Sequence, residues 1–149
     1  MQMDTKIKHP AIICDLDGTL ALFKNKGHRG PFDATRCDED EINMPVLKIL
    51  ERMRDSHCII FLSGRESKFL APTLKFLNKC GFDGDKEPFF LFMRQTGDKR
   101  KDCIIKRELF DAHVAPIFEV FFVLDDRNQV VQMWREMGLT CFQVADGDF

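Results

Sequence analysis

The residues best suited to chemistry in this sequence are acids at the ends of apolar runs. Ala11-Ile12-Ile13-Cys14 leads into Asp15-Leu16-Asp17-Gly18-Thr19, and the run from Phe118 to Leu124 leads into Asp125-Asp126. Carboxylates crowded at strand ends repel one another unless a cation or proton joins them. Hard oxygen donors without imidazole or thiolate partners suit Mg2+, which makes Asp15, Asp17, Asp125 and Asp126 the candidate metal ligands. A third apolar run, Cys58 to Leu62, ends in Ser63-Gly64-Arg65, and a polar, basic loop from Arg94 to Asp102 leads to a helix bearing Lys106. A hydroxyl and several cations facing such a metal would receive an anion, and phosphate fits best. Gly64 would let the backbone approach it and donate amides.

A phosphate monoester is a dianion that repels a carboxylate nucleophile. With the metal and the basic residues cancelling that repulsion, Asp15 could attack phosphorus in line and form an aspartyl-phosphate. Asp17 would protonate the leaving alkoxide and then activate the hydrolytic water, a role that predicts a raised pKa among neighbouring acids. Ser63 and Lys106 would hold the transferring oxygens. Each motif alone has a plainer reading. Asp125-Asp126 could cap a helix, Ser63-Gly64 could be a turn, and a single lysine on a helix is usually solvated. The acidic run from Asp38 to Glu41 reads as a solvated face. His9, His57 and His113 read as surface or packing residues, and Met133 and Trp134 as helix packing.

Elements that deliver these groups to one edge must alternate. Strands are expected over about 10–15, 58–62, 88–93, 118–124 and 140–144, with helices from Pro45, over 72–80, from Cys103 and over 129–137. That order predicts an α/β fold with an open parallel sheet of about five strands, helices on both faces and all strand C-termini on one edge. Residues 21–43 have no sustained period and read as a short flap over the acidic turn, with Lys24, Lys26, His28 and Arg29 as its basic residues. No cap-sized insertion is present. With 149 residues and no linker or repeat, one domain over 1–149 is expected. A net charge of -2 and a hydrophobic fraction of 44% fit an ordinary globular protein and neither require nor exclude a nucleic-acid partner. No apolar run is long enough for a membrane span. The six cysteines form no C-x-x-C pair and read as buried free thiols.

At these residues the chain resembles the haloacid dehalogenase (HAD) phosphatase superfamily, with a Rossmannoid sheet. Asp15-Leu16-Asp17-Gly18-Thr19 is similar to its first motif, Ser63 to its second, Lys106 to its third and Asp125-Asp126 to its fourth. Arg29-Gly-Pro-Phe-Asp33, Phe61-Leu-Ser63-Gly64-Arg65, Met93-Arg94 with Asp98 to Asp102, and Leu124 to Arg127 resemble the 3'-phosphatase domain of phage-type polynucleotide kinase/phosphatase. The resemblance implies Mg2+-dependent removal of 3'-phosphate from DNA or RNA ends. It adds Arg29, Arg65, Arg94 and Asp102 to a phosphate site already holding Thr19, Ser63, Gly64 and Lys106, with Arg65 and Arg94 on the phosphate and Asp102 orienting basic neighbours. Lys99-Arg100-Lys101 could follow the polynucleotide backbone. No G-x-x-x-x-G-K-[ST] loop is present, so any kinase or ligase partner would be separate. The resemblance further implies a cytoplasmic protein of phage or bacterial origin. Its oligomeric state stays open, a homodimer included. Two other readings are a phosphatase of small nucleotides or sugar phosphates and a catalytically idle nucleic-acid-binding module. An open mouth suits a polymer end better than a metabolite.

Overall fold

A computed structural model describes residues 6–23 and 27–149 of the chain, so Lys24 and Lys26 of the expected flap lie outside the described residues. The first strand, β1 (His9–Cys14), is buried from its third residue onward, with Ala11 to Cys14 at most 1% exposed. A run apolar on both faces belongs in the middle of a parallel sheet. It pairs in parallel with β4 (Cys58–Glu66) on one side and β6 (Phe118–Asp125) on the other. Outside these lie β5 (Phe90–Arg94) and β7 (Cys141–Gln143), giving the order β5-β4-β1-β6-β7. The chain winds from β1 outward to one edge and then returns to build the other. The crevice at the carboxyl end of β1 is therefore a topological switch point, where open α/β sheets hold their ligands.

Side chains alternating along β1 serve two cores. Ile12 and Cys14 pack with Leu47 and Leu50 of α1 (Met44–Met53) and with Phe76 and Leu77 of α2 (Leu70–Lys79). Ala11 and Ile13 pack on the opposite face with Val130, Val131 and Trp134 of α4 (Asn128–Glu136). Cys103 and Leu109 of α3 (Asp102–Leu109) border this second core. Helices thus cover both faces, as the alternation predicts. The helix expected from Cys103 is α-helical only to Leu109 and continues as a π-turn from Phe110 to Val114. All six cysteines are free thiols, and four of them are buried.

Two departures shape the site. Strand β4 continues past Leu62 to Glu66, with an irregularity in its pairing to β5 between Ser63 and Glu66. The described part of the segment after β1 also holds more regular structure than an aperiodic flap. β2 (Ala21–Leu22) and β3 (Glu41–Ile42) close its base as an antiparallel ribbon, and a 3-10 turn spans Cys37–Glu39. Asn43 fastens the ribbon to the turn after β1, its side chain donating to the Thr19 carbonyl at 2.8 Å and its backbone N–H to that of Leu20.

Candidate active site

The chain turns directly after β1. Asp15 still donates its N–H to Leu124, and the N–H groups of Gly18 and Ala21 then fold back to the carbonyls of Ala21 and Leu16. Gly18 takes φ +85°, and a Cβ there would stand 2.2 Å from Asp126 Oδ2, so the position tolerates only glycine on both counts. The turn brings Asp15, Asp125 and Asp126 together, with one oxygen of each within 4.8 Å of the others. All three are at most 5% exposed.

Few donors offset these acids. Lys106 of α3, itself 1% exposed, donates to Asp15 Oδ1 at 2.8 Å and to Asp125 Oδ2 at 2.9 Å. Thr19 Oγ1 lies 3.0 Å from Asp15 Oδ2 and 3.2 Å from Asp126 Oδ1, and its single proton serves one of them at a time. Trp134 Nε1 adds a long contact of 3.4 Å to Asp125. Burial, then repulsion from Asp125, pushes the Asp15 carboxyl well above the ordinary range despite Lys106. The same two causes raise Asp126. Burial alone would lower Lys106, but Asp125, Asp15 and Asp102 lift it well above its usual value. A buried cluster of hard oxygens this short of positive charge fits a small divalent cation.

Asp17 stands apart. Its carboxylate takes two bonds from Arg65, Nε at 3.0 Å and Nη2 at 2.7 Å, and a third from Arg29 Nη2 at 2.7 Å. Behind the two arginines lies Asp40, fully buried, which accepts Arg29 Nη2 at 2.6 Å and Nε at 2.8 Å. Asp40 also contacts Arg65 Nη2 at 3.4 Å and His28 Nε2 at 2.8 Å. The expected rise in the Asp17 pKa is therefore corrected. Burial pushes this carboxyl up, but the charges and hydrogen bonds of Arg65 and Arg29 outweigh it and hold it below the ordinary range. Its side chain also lies outside the group of three acids placed to share a cation, unlike the expected set of four.

Several residues expected on the phosphate are instead committed within the protein. Thr19 is fully buried and faces the carboxylates. Arg94 directs Nε to the Gly64 carbonyl at 2.7 Å and Nη1 to the carbonyls of Asp98 and Arg100 at 3.0 and 2.6 Å. Its Nη2 meets Asp102 Oδ1 at 3.3 Å. It pins the loop before α3. A Cβ on Gly64 would stand 1.8 Å from Asp102 Oδ1, so the missing side chain makes room for that carboxylate as well as for any ligand. Ser63 is buried at the end of β4, where its Oγ accepts the Arg65 N–H at 3.1 Å. In the basic loop, Arg100 is paired with Asp98 and Glu108, and Lys99 with Glu66.

Sequence reasoning missed Asp40 by reading its run as solvated. The signal lay in Cys37, a buried thiol within that charged stretch, which marks a turn folding inward. It also missed Gly147, where a Cβ would stand 1.9 Å from the Asp126 carbonyl. The C-terminal segment closes over the turn after β6 there, with Asn128 N–H donating to Gly147 O at 2.8 Å.

Comparison with known proteins places this geometry. The family described as the polynucleotide kinase PNKP phosphatase domain matches residues 9–149. A putative bifunctional polynucleotide kinase/RNA ligase of Autographa californica nuclear polyhedrosis virus is 35% identical over 138 residues, 91% of this chain and 19% of that protein. A chain in the structure of a Pnkp1/Rnl/Hen1 RNA repair complex superposes on all of this chain with a TM-score of 0.87 and 46% identity. This chain covers 46% of it. A second Pnkp1/Rnl/Hen1 structure agrees at a TM-score of 0.87 and 45% identity, with 50% of that chain covered. The class C acid phosphatase of Bacillus anthracis, solved with tungstate bound, has a TM-score of 0.56 and 22% identity over 95% of this chain and 68% of its own, a likeness of fold alone. The chain thus spans half or less of the viral relative and of the two RNA repair complex chains that it matches.

Proposed function

This chain belongs to the family of polynucleotide kinase PNKP phosphatase domains, and from that membership we propose that it removes the terminal 3'-phosphate from polynucleotide ends, with Asp15 as nucleophile. The observation that carries the reading is Asp15 itself, buried at the switch point with one oxygen on Lys106 and the other on Thr19, beside two further acids. Asp15, Asp125 and Asp126 would hold Mg2+. Bound there, the ion would offset the charge of these carboxylates and of the substrate phosphate.

In the first step an Asp15 oxygen bonds to phosphorus as the bond to the ribose 3'-oxygen breaks, and Asp17 gives that oxygen its proton. In the second, Asp17 takes a proton from water, the water oxygen bonds to phosphorus, and the bond to Asp15 breaks to release inorganic phosphate. Lys106 holds Asp15 in place and, with Ser63, steadies the transferring oxygens. In the free protein Arg29 and Arg65 keep Asp17 ionised. A bound phosphate dianion competes for the same guanidiniums and so restores the proton affinity that the acid role needs. The relatives described as a kinase/RNA ligase and as part of an RNA repair complex favour RNA ends and a kinase or ligase acting on the same ends.

Phosphate release from 3'-phosphorylated RNA, its DNA equivalent and a 3'-mononucleotide, each with Mg2+ and with EDTA, tests the proposal. Mg2+-dependent turnover of the oligonucleotides, RNA foremost, is expected. Turnover of the mononucleotide alone would move the enzyme to small nucleotides. No release from any would leave a binding module.

A further inference from the structure

Phe32 is 90% exposed, and among the described large apolar side chains only Ile7, at 91%, is equally open, whereas the other exposed ones lie between 40% and 62%. Ala34 and Cys37 further along the flap are buried, whereas Pro31 and Asp33 on either side of Phe32 are exposed with it. Phe32 sits in the turn Gly30-Pro31-Phe32-Asp33, and this turn is tied to the candidate site. The Arg29 guanidinium donates from Nη2 to Asp17 Oδ1 at 2.7 Å and from Nη1 to the carbonyls of Gly30 and Asp33, on either side of Phe32, at 3.4 Å. The ring of Phe23 packs against that guanidinium, 4.3 Å from its central carbon. Asp33 Oδ1 closes the turn by accepting the Thr35 N–H and hydroxyl at 3.0 and 2.6 Å. Pro31 fixes φ just before Phe32.

Because a single planar guanidinium bridges the two, the Asp33 carbonyl stands within about 9 Å of the Asp17 carboxylate. The backbone beside the exposed ring is thus held roughly one nucleotide's length from Asp17, the acid that would act on the leaving oxygen. We propose that Phe32 is the stacking platform for the base of the substrate's 3'-terminal nucleotide, an inference that rests on the polynucleotide reading above. Single-stranded nucleic acid is commonly bound by pairing cations for the backbone with an aromatic face for a base. Arg29 and Phe32 supply that pair from neighbouring positions in one loop. Stacking is tolerant of sequence, since every base offers a π-face. That suits an enzyme acting on ends of any sequence. A sugar phosphate would leave the ring without a partner.

The test compares wild type with Phe32→Ala, Phe32→Leu and Phe32→Trp in Mg2+, with melting temperatures recorded for each. The substrates are a 3'-phosphorylated RNA oligonucleotide and the same oligonucleotide whose terminal residue lacks its base. Wild type is expected to prefer the complete substrate about tenfold in kcat/KM, mainly through KM. In Phe32→Ala and Phe32→Leu that ratio falls to near one, and in Phe32→Trp it is kept. Equal losses on both substrates, or a ratio unchanged by Phe32→Ala, would overturn the inference while the phosphatase reading stands. No release by wild type from either oligonucleotide would remove the polynucleotide reading and this inference with it.

Discussion

Asp15 and Asp17 are two residues apart in the chain, and they sit in opposite electrostatic surroundings. Asp15 belongs to a buried floor with Asp125 and Asp126, where Lys106 pairs with Asp15 and Asp125. Asp17 belongs to a latch where two carboxylates, its own and that of Asp40, meet two guanidiniums from Arg29 and Arg65. The floor is short of positive charge and the latch is balanced. A balanced buried network holds geometry, whereas an unbalanced one is built to be completed by something that binds. The latch therefore orients the flap and the proton-transferring Asp17, and the floor holds the nucleophile.

The contrast breaks most sharply at Asp15. Asp15→Asn keeps the shape of the side chain but removes the nucleophile, and turnover should fall on the order of 10⁴-fold or more. Its metal-free melting temperature should equal or exceed that of wild type, because one of three crowded charges is gone. Thermal melts beside steady-state assays check both halves. A large fall in melting temperature would mean the floor is not strained. Lys106→Met should cost stability instead, about 3–5 kcal/mol, since it strands buried carboxylates without their cation. Urea unfolding in EDTA measures that loss.

In the latch, Asp40→Asn removes the charge that lets two guanidiniums lie side by side. A destabilisation of about 2–4 kcal/mol and reduced turnover are expected, with denaturant melts and kinetics as the readouts. Mg2+ should raise the melting temperature of wild type by a few degrees and have little effect on Asp126→Asn, because only the intact floor offers the full donor set.

Acid should move the two regions in opposite directions. The folded pKa of Asp17 lies below the ordinary 3.8, so the latch contributes stability above pH 3.8 that is lost as pH falls through that lower value. Asp15 and Asp126 have folded values above 3.8, so the folded state binds the extra proton and metal-free stability falls as pH rises through the window above 3.8. Urea melts in EDTA from pH 7 down to 4 should show a gain for wild type that is smaller in Asp126→Asn. An identical pH dependence in the two proteins would contradict the strained floor.

Much of the floor was legible in the sequence because continuous apolar runs announce central parallel strands, and their polar ends must meet at one edge. Asp15, Ser63, Lys106, Asp125 and Asp126 all converge on that edge. The latch was not legible, because nothing local in the sequence pairs Asp40 with Arg29 and Arg65 across 11 and 25 residues. The two-residue strands β2 and β3 are too short to show a period, so the ribbon that folds Asp40 inward read as loop. Arg94 and Thr19 look from their types like phosphate ligands. Only the three-dimensional arrangement reveals that loop carbonyls and the floor carboxylates already hold them.

The most direct measurement is a covalent trap. Wild type is mixed with a 3'-[32P]phosphorylated oligonucleotide and Mg2+ and quenched in acid during the first turnover. Borohydride reduction and peptide mass spectrometry then locate the labelled position. Label on the protein before reduction, and homoserine at position 15 after reduction releases that label as phosphate, both absent from Asp15→Asn, are the predicted result. Turnover without a labelled protein, or label at any other residue, would contradict Asp15 as the nucleophile.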